Sequence, residues 1–202
     1  VVGNLIHRNL LTLNGSAYMA TRSPTEIQSE FFASSENQFR PIAVELGPDG
    51  ALYIADMQRA VIEHPDYIPS KIKQNMNIRE GDERGRIYRL TPKPNISSVI
   101  SNKSPIKLKN LEEEFIHPNQ WRRLTAQRLI YEKQDKSLTP RLRKLISHKI
   151  DFARLHALWS LQGLQVIKSD DILIGLSDSN ARIRENVIRI AEESGFIRDP
   201  MI

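Results

Sequence analysis

The chain has 202 residues, 40% of them apolar and 26% charged, enough for one large or two small cores. It has no cysteine, which excludes disulfides, thiolate metal sites and a CxxCH haem attachment within these residues, and no apolar run long enough for a membrane-spanning helix. The net charge of +5 is uneven: residues 1–92 carry 10 Lys/Arg against 11 Asp/Glu, and residues 93–202 carry 19 against 13. A basic second half reads first as a solvated helical surface with a lysine surplus, and second as a surface for nucleic acid or an acidic partner.

The chain opens at Val1 without a charged n-region or an apolar h-region, and reads as a portion of a longer polypeptide. The first half follows a period of two. In "LLTLNGSAYMATR" the Asn14-Gly15 pair marks a hairpin turn between β-compatible runs. In "PIAVELGPDGALYIAD" Ile42, Val44 and Leu46 alternate with Ala43 and Glu45, Asp49-Gly50 supplies a turn, and Leu52 and Ile54 alternate with Tyr53 and Ala55. Residues 57–83 break the pattern with a proline-containing insert and a short amphipathic stretch from Ser70 to Met76. A further strand follows in "RGRIYRL", Arg84 to Leu90. Short strands with close polar turns predict the C-terminal blade region of a β-propeller over residues 1–92. Residues 93–104, rich in Pro, Ser and Asn, read as a linker.

Residues 105–202 switch to helical spacing. Leu108, Leu111, Phe115 and Ile116 form one apolar stripe. Leu138, Leu142, Leu145 and Ile146 form a second, and Ile183, Val187, Ile190 and Ala191 a third. The helix from Phe152 to Leu164 is apolar on more than one side, which suits the middle of a stack. Thr139-Pro140 predicts a helix start, with Asp151, Ser169 and Asp178 or Ser179 before other helices. Gly163 and Gly195 stand where left-handed C-terminal residues are expected. "RRLTAQRL", "ARLHALWS" and "RIRENVIR" align, so that Arg123, Arg154 and Arg184 correspond at steps of 31 and 30 residues. Two helices per unit at a fixed period predict an α-solenoid of HEAT-like pairs, with a period shorter than their usual ~40. The fold class expected is therefore α+β: part of a propeller, then helical repeats.

"NLIHRNLL", "EFFASSENQFRPIAVELGPDGALYIADMQRAVIEHPDYIP", "GDERGRIYRL", "HPNQWRRLTAQRLI" and "ARLHALWSLQGL" occur in this order. Together they resemble the membrane-bound dehydrogenases of the PVC type, large exported bacterial proteins. That resemblance implies a propeller similar to the glucose/sorbosone quinoprotein dehydrogenases, then HEAT-like helices, and in many members a cytochrome c module whose haem lies outside these residues. It implies a periplasmic or cell-envelope location, a sugar or alcohol substrate, and pyrroloquinoline quinone as the cofactor to consider. The partners implied are the rest of the same polypeptide and a carbohydrate substrate.

On that resemblance Arg40 looks like the arginine that reaches the quinone in soluble sugar dehydrogenases, although eight residues separate it from Pro48, a longer step than in those enzymes. A guanidinium suits the three carboxylates of such a quinone, and equally a carboxylate of a neighbouring blade. His7 is the candidate general base for proton removal as hydride leaves, or a histidine bonded between strands. Asp49 is a turn residue first. Asp56 caps backbone amides or pairs with Arg59. His64 and His117 precede prolines and mark element boundaries, with Glu63 beside His64 a carboxylate that can orient an imidazole. No metal-ligand spacing, G-x-S-x-G or P-loop occurs. Arg123, Arg154 and Arg184 read as a structural ladder or as a basic stripe, and Trp121 and Trp159 as packing residues. Three functions follow: a dehydrogenase portion, a non-catalytic scaffold for a protein or polysaccharide, and a nucleic-acid-binding solenoid.

Overall fold

The runs of alternating residues form antiparallel strands, and the runs of helical period form helices. The computed structural model describes residues 3–15, 17–62, 64–91 and 105–196. The expected linker and Glu63 lie outside them. The chain divides into two compact units, Val1–Gly47 with Ala51–Lys93, and Pro48–Gly50 with Pro94–Ile202.

In the first unit β1 (Leu5–Ile6) pairs with β4 (Phe32–Ala33), and β2 (Asn9–Asn14) pairs with β3 (Ala17–Arg22). A three-stranded antiparallel meander joins β5 (Pro41–Leu46), β6 (Leu52–Asp56) and β7 (Arg86–Leu90). The β5–β6 turn places Gly50 at φ 74°, a conformation open to glycine. Burial centres on β6: Ile54 and Asp56 are buried together with Phe39, which precedes β5, whereas Ile42 and Val44 of β5 are exposed despite their alternation. Phe32, Phe39 and Tyr88 meet edge to face with ring centroids 5.5–5.8 Å apart. The β2–β3 hairpin departs from the half-buried pattern that its alternation suggests. Leu10, Leu11, Leu13, Tyr18 and Met19 are all exposed, on both faces of the ribbon.

Among its described residues the insert carries a 3-10 turn over Pro65–Tyr67 and one turn of α-helix, α1 (Ser70–Lys73), with Ile72 and Met76 exposed. The stretch from Ser70 to Met76 thus yields one short helix, and four residues are too few to bury an apolar stripe. The insert returns to the sheet at Gly81, whose φ is +91° and where a Cβ would run into the backbone carbonyl of Gln58.

The second unit contains α2 (Leu111–Phe115), α3 (Gln120–Lys133), α4 (Thr139–Leu145), α5 (Asp151–Gly163), α6 (Ser169–Leu176) and α7 (Ala181–Glu193). They alternate in three pairs, α2/α3, α4/α5 and α6/α7. Helix α5 packs on α3 on one side and α7 on the other, which is why it is apolar around much of its girth. The three predicted stripes form one continuous core, from Leu111 and Phe115 through Leu142, Leu158 and Leu161 to Ile183 and Ile190. Ile116 is an exception and lies exposed at the end of α2.

Several predicted termini differ: Asp151 and Ser169 are the first residues of α5 and α6 and do not precede them, and Asn180 rather than Asp178 or Ser179 caps α7. Thr139 is the first residue of α4 and not its cap, because a 3-10 turn over Lys136–Leu138 runs into the helix and the Thr139 hydroxyl donates to Lys136 O at 2.7 Å. Asp135 does the capping, accepting from Ser137 N–H at 3.0 Å. Gly163 is the last residue of α5, and the left-handed residue is Gln165 at φ 56°. At Gly163 a Cβ would press on the Tyr131 ring at 3.0 Å, so close approach of α3 accounts for the glycine.

Candidate functional site

Arg40 sits at the start of β5, where the meander is pinned. Asp56, at the end of β6, accepts from Arg40 N–H at 2.8 Å and from Gln58 N–H at 2.9 Å through one oxygen. Its other oxygen lies 3.7 Å from Arg86 Nε. Asp56 therefore caps backbone amides, as its position suggests, and its ionic partner is Arg86 rather than Arg59.

The Arg40 side chain is 9% exposed. Its Nη1 donates to Asn4 Oδ1 and, at 2.9 Å, to Phe39 O; its Nη2 donates to Ala60 O at 3.3 Å. All three acceptors are neutral, and Nε is buried without a partner. The guanidinium thus ties the N-terminal segment, the start of β5 and the insert to one point.

His7 lies in a different network, on the exposed side of the segment that leads into β2. Its Nδ1 is 2.9 Å from Glu30 Oε2 and 3.0 Å from Arg22 Nη1, and its Nε2 is 2.9 Å from Asn9 Oδ1. Arg22 also donates to Glu30 Oε1 at 3.0 Å, and Arg8 pairs with Glu26. The hydrogen bonds from His7 and then Arg22 hold the Glu30 carboxyl below the ordinary carboxylate range. Both imidazole nitrogens are engaged, so neither is left to accept a proton from an alcohol. The structure places Arg40 and His7 in separate hydrogen-bond sets with no shared partner among the contacts described.

The remaining sequence candidates have local roles. His64 is exposed, and its Nδ1 accepts from Asp66 N–H at 3.4 Å. His117 Nδ1 accepts from Asn119 N–H at 3.0 Å, and burial, then the nearby Arg122 charge, lowers its pKa. Asp49 lies in the β5–β6 turn. Among the described residues no cluster of three or more His, Asp or Glu is placed to hold a metal, and no helix is long and apolar enough to cross a membrane.

The three aligned arginines act alike. Arg123 Nη1 donates to His117 O at 2.6 Å, Arg154 Nη1 to His148 O at 2.8 Å, and Arg184 Nη1 to Asp178 O at 2.7 Å. In each unit the acceptor stands six residues before the arginine and closes the turn between the two helices. The side chain of that same residue takes the amide two positions on: His117 from Asn119, His148 from Ile150 at 3.1 Å, Asp178 from Asn180 at 2.8 Å. Arg154 adds a link to the following unit, gripping Asp178 with Nε at 2.6 Å and Nη2 at 2.9 Å. That hydrogen bond raises the Arg154 pKa. Burial alone would raise Asp178, but the bonds from Arg154 and Asn180 and the charges of Arg154 and Arg184 lower it. Trp121 and Trp159 are half-buried, with Trp159 Nε1–H donating to Asn186 Oδ1 at 3.0 Å.

Sequence reasoning found the arginines and missed their partners. The repeated His117, His148 and Asp178 carry the same steps of 31 and 30 residues, but a His in two units and an Asp in the third hides the equivalence, since the shared property is a ring nitrogen or oxygen that accepts.

Residues 1–94 match a family model described as a domain of unknown function, DUF7133. No curated protein and no solved structure matches the chain. The match covers the sheet unit and leaves the helix pairs unassigned.

Proposed function

We propose that this chain is a portion of an exported bacterial protein related to the PVC-type membrane-bound dehydrogenases, in the periplasm or cell envelope. In this reading the sheet unit is blade material of a β-propeller and the helix pairs are HEAT-like repeats. Both serve as framework and binding surface for the rest of the polypeptide and for a polysaccharide or protein, rather than supplying reacting groups. The three-stranded meander locked by Asp56, and the turn motif repeated in the three helix pairs, support the architecture.

The observation that carries the framework role is the state of Arg40. Three of its five N–H donors go to Asn4, Phe39 and Ala60, and the rest, Nε among them, belong to a residue that is nine-tenths buried and so out of a ligand's reach. A quinone with three carboxylates needs donors that are unspent and reachable, so Arg40 and His7 as they stand do not fit pyrroloquinoline quinone, and no step is assigned to that cofactor here.

The test is quinone-dependent oxidation of sugars and alcohols by the full-length protein and its His7→Gln variant. The framework reading expects the same rate from both. A loss of 100-fold or more in kcat in the variant, with its melting temperature unchanged, would make His7 a catalytic base and overturn the reading.

A further inference from the structure

The helix pairs superimpose position by position along the sequence, and this exposes a mismatch at the third. Leu158 on α5 is buried, and its Cδ1 would lie 3.4 Å from a Cβ at Gly175 of α6, so the next unit's first helix covers it. The equivalent residue thirty positions on is Ile188 of α7, which is 46% exposed. Ile146 is 4% exposed, and its equivalent Leu176 is 39% exposed. Val166 packs against the core, whereas its equivalent Phe196 is 43% exposed. Three apolar side chains of the third pair thus stand open where those of the second are covered.

Arg184 repeats the polar contacts of the other aligned arginines only in part. Its Nη1 repeats the turn contact of Arg154, with bonds to Asp178 O and Ser179 O. The Nε and Nη2 fork grips Asp178 in Arg154 alone of the three: among the described residues it holds no carboxylate in Arg184, and none in Arg123, which lies over the Phe152 ring of the next pair.

The way the chain leaves the third pair identifies what covers this face. After α5 the chain turns at Gln165, φ 56°, and Val166 N–H donates to Leu161 O at 3.0 Å; a few residues later α6 begins. After α7 it turns at Gly195, φ 74°, and Phe196 N–H donates to Ala191 O at 2.9 Å. The second exit reproduces the first, and the first leads directly into the next helix pair.

We infer that a fourth helix pair, continuous with the third in the polypeptide, packs over Leu176, Ile188 and Phe196. The continuing chain is a better occupant than a second copy, because the exit at Gly195 and Phe196 repeats the one that leads from α5 into the next pair. The inference rests on the repeated helix pairs of the proposed architecture and not on the dehydrogenase kinship.

The test compares the chain ending at Ile202 with the natural polypeptide extended by about 40 residues, roughly one repeat. Ile188→Asp is introduced into each, and urea unfolding and sedimentation are measured. The expected result is an unchanged midpoint in the shorter, monomeric chain and a loss of at least tenfold in the folding equilibrium constant in the longer one. Three results would each overturn the inference: Ile188→Asp silent in both chains, a coding sequence that stops at Ile202, or a dimer of the shorter chain that Ile188→Asp dissociates. None of these outcomes bears on the rate of the His7→Gln variant, so the two readings fail separately.

Discussion

Replacing Arg122 by Met is expected to destabilise the helical unit by roughly 3–5 kcal/mol, the cost of leaving a buried charge without its partner. Arg122 and Glu114 join α3 to α2 with side chains only 4% and 5% exposed. The guanidinium meets both carboxylate oxygens, with Nη2 at 2.8 Å from each and Nε at 3.1 Å from Oε2. Glu114 Oε1 also accepts from Lys107 N–H at 3.0 Å. With the cation gone, the carboxylate stays buried, because the surrounding helices do not open to water. The double replacement Glu114→Leu with Arg122→Met behaves oppositely and recovers most of the loss. The repeat supplies the reason: the positions equivalent to Arg122 are Ala153 and Ile183, both buried, and the one equivalent to Glu114 in the second pair is the buried Leu145. Urea unfolding of the two variants and the parent checks this. A double variant no more stable than Arg122→Met would show that the pair contributes more than charge compensation.

Acid is expected to weaken the helical unit well above the usual carboxylate range. His156 on α5 is buried, its Nδ1–H donating to Gln127 Oε1 at 2.6 Å and its ring against Phe115 with centroids 5.4 Å apart. Burial, and secondarily the Arg123 charge, push its pKa down to about 4. An unfolded histidine titrates near 6.5. Between those values the unfolded chain binds the proton and the folded chain does not. The stability tied to neutral His156 is therefore complete above about pH 6.5, falls as pH drops towards 4, and is gone below it. The full difference is about 3 kcal/mol. His117, lowered by burial and then by Arg122, acts in the same direction. Asp178, lowered in the fold, loses its contribution only at more acid pH. Urea midpoints from pH 7.5 to 5 should fall in the parent and fall much less in His156→Leu. An equal slope in both would remove His156 from the account.

The sequence disclosed most of what depends on periodicity. Alternation placed β5, β6 and β7, and the apolar stripes placed the core of the helix pairs, because burial of one face is a local signal repeated many times. The hairpin at Asn14-Gly15 and the one short helix of the insert were legible too, but not their exposure, since neither has a covering layer. Helix termini were shifted at Thr139 and Gly163, since a 3-10 turn and an aromatic ring of another helix decide them. The site residues were legible as types and not as partners. That Arg40 would meet Asn4 and the Ala60 carbonyl, and that His7 would meet Glu30 and Arg22, depends on segments 15 or more residues away in sequence and on no periodic pattern.

The framework reading turns on Arg40, and Arg40→Met in the full-length protein tests it. Two quantities are measured together, the calorimetric affinity for pyrroloquinoline quinone and the thermal midpoint. Loss of the bonds to Asn4, Phe39 and Ala60 should lower the midpoint by several degrees while leaving quinone binding, where the parent has any, within about twofold. A tenfold or greater loss of quinone affinity at an unchanged midpoint would place the guanidinium on the cofactor and contradict the account.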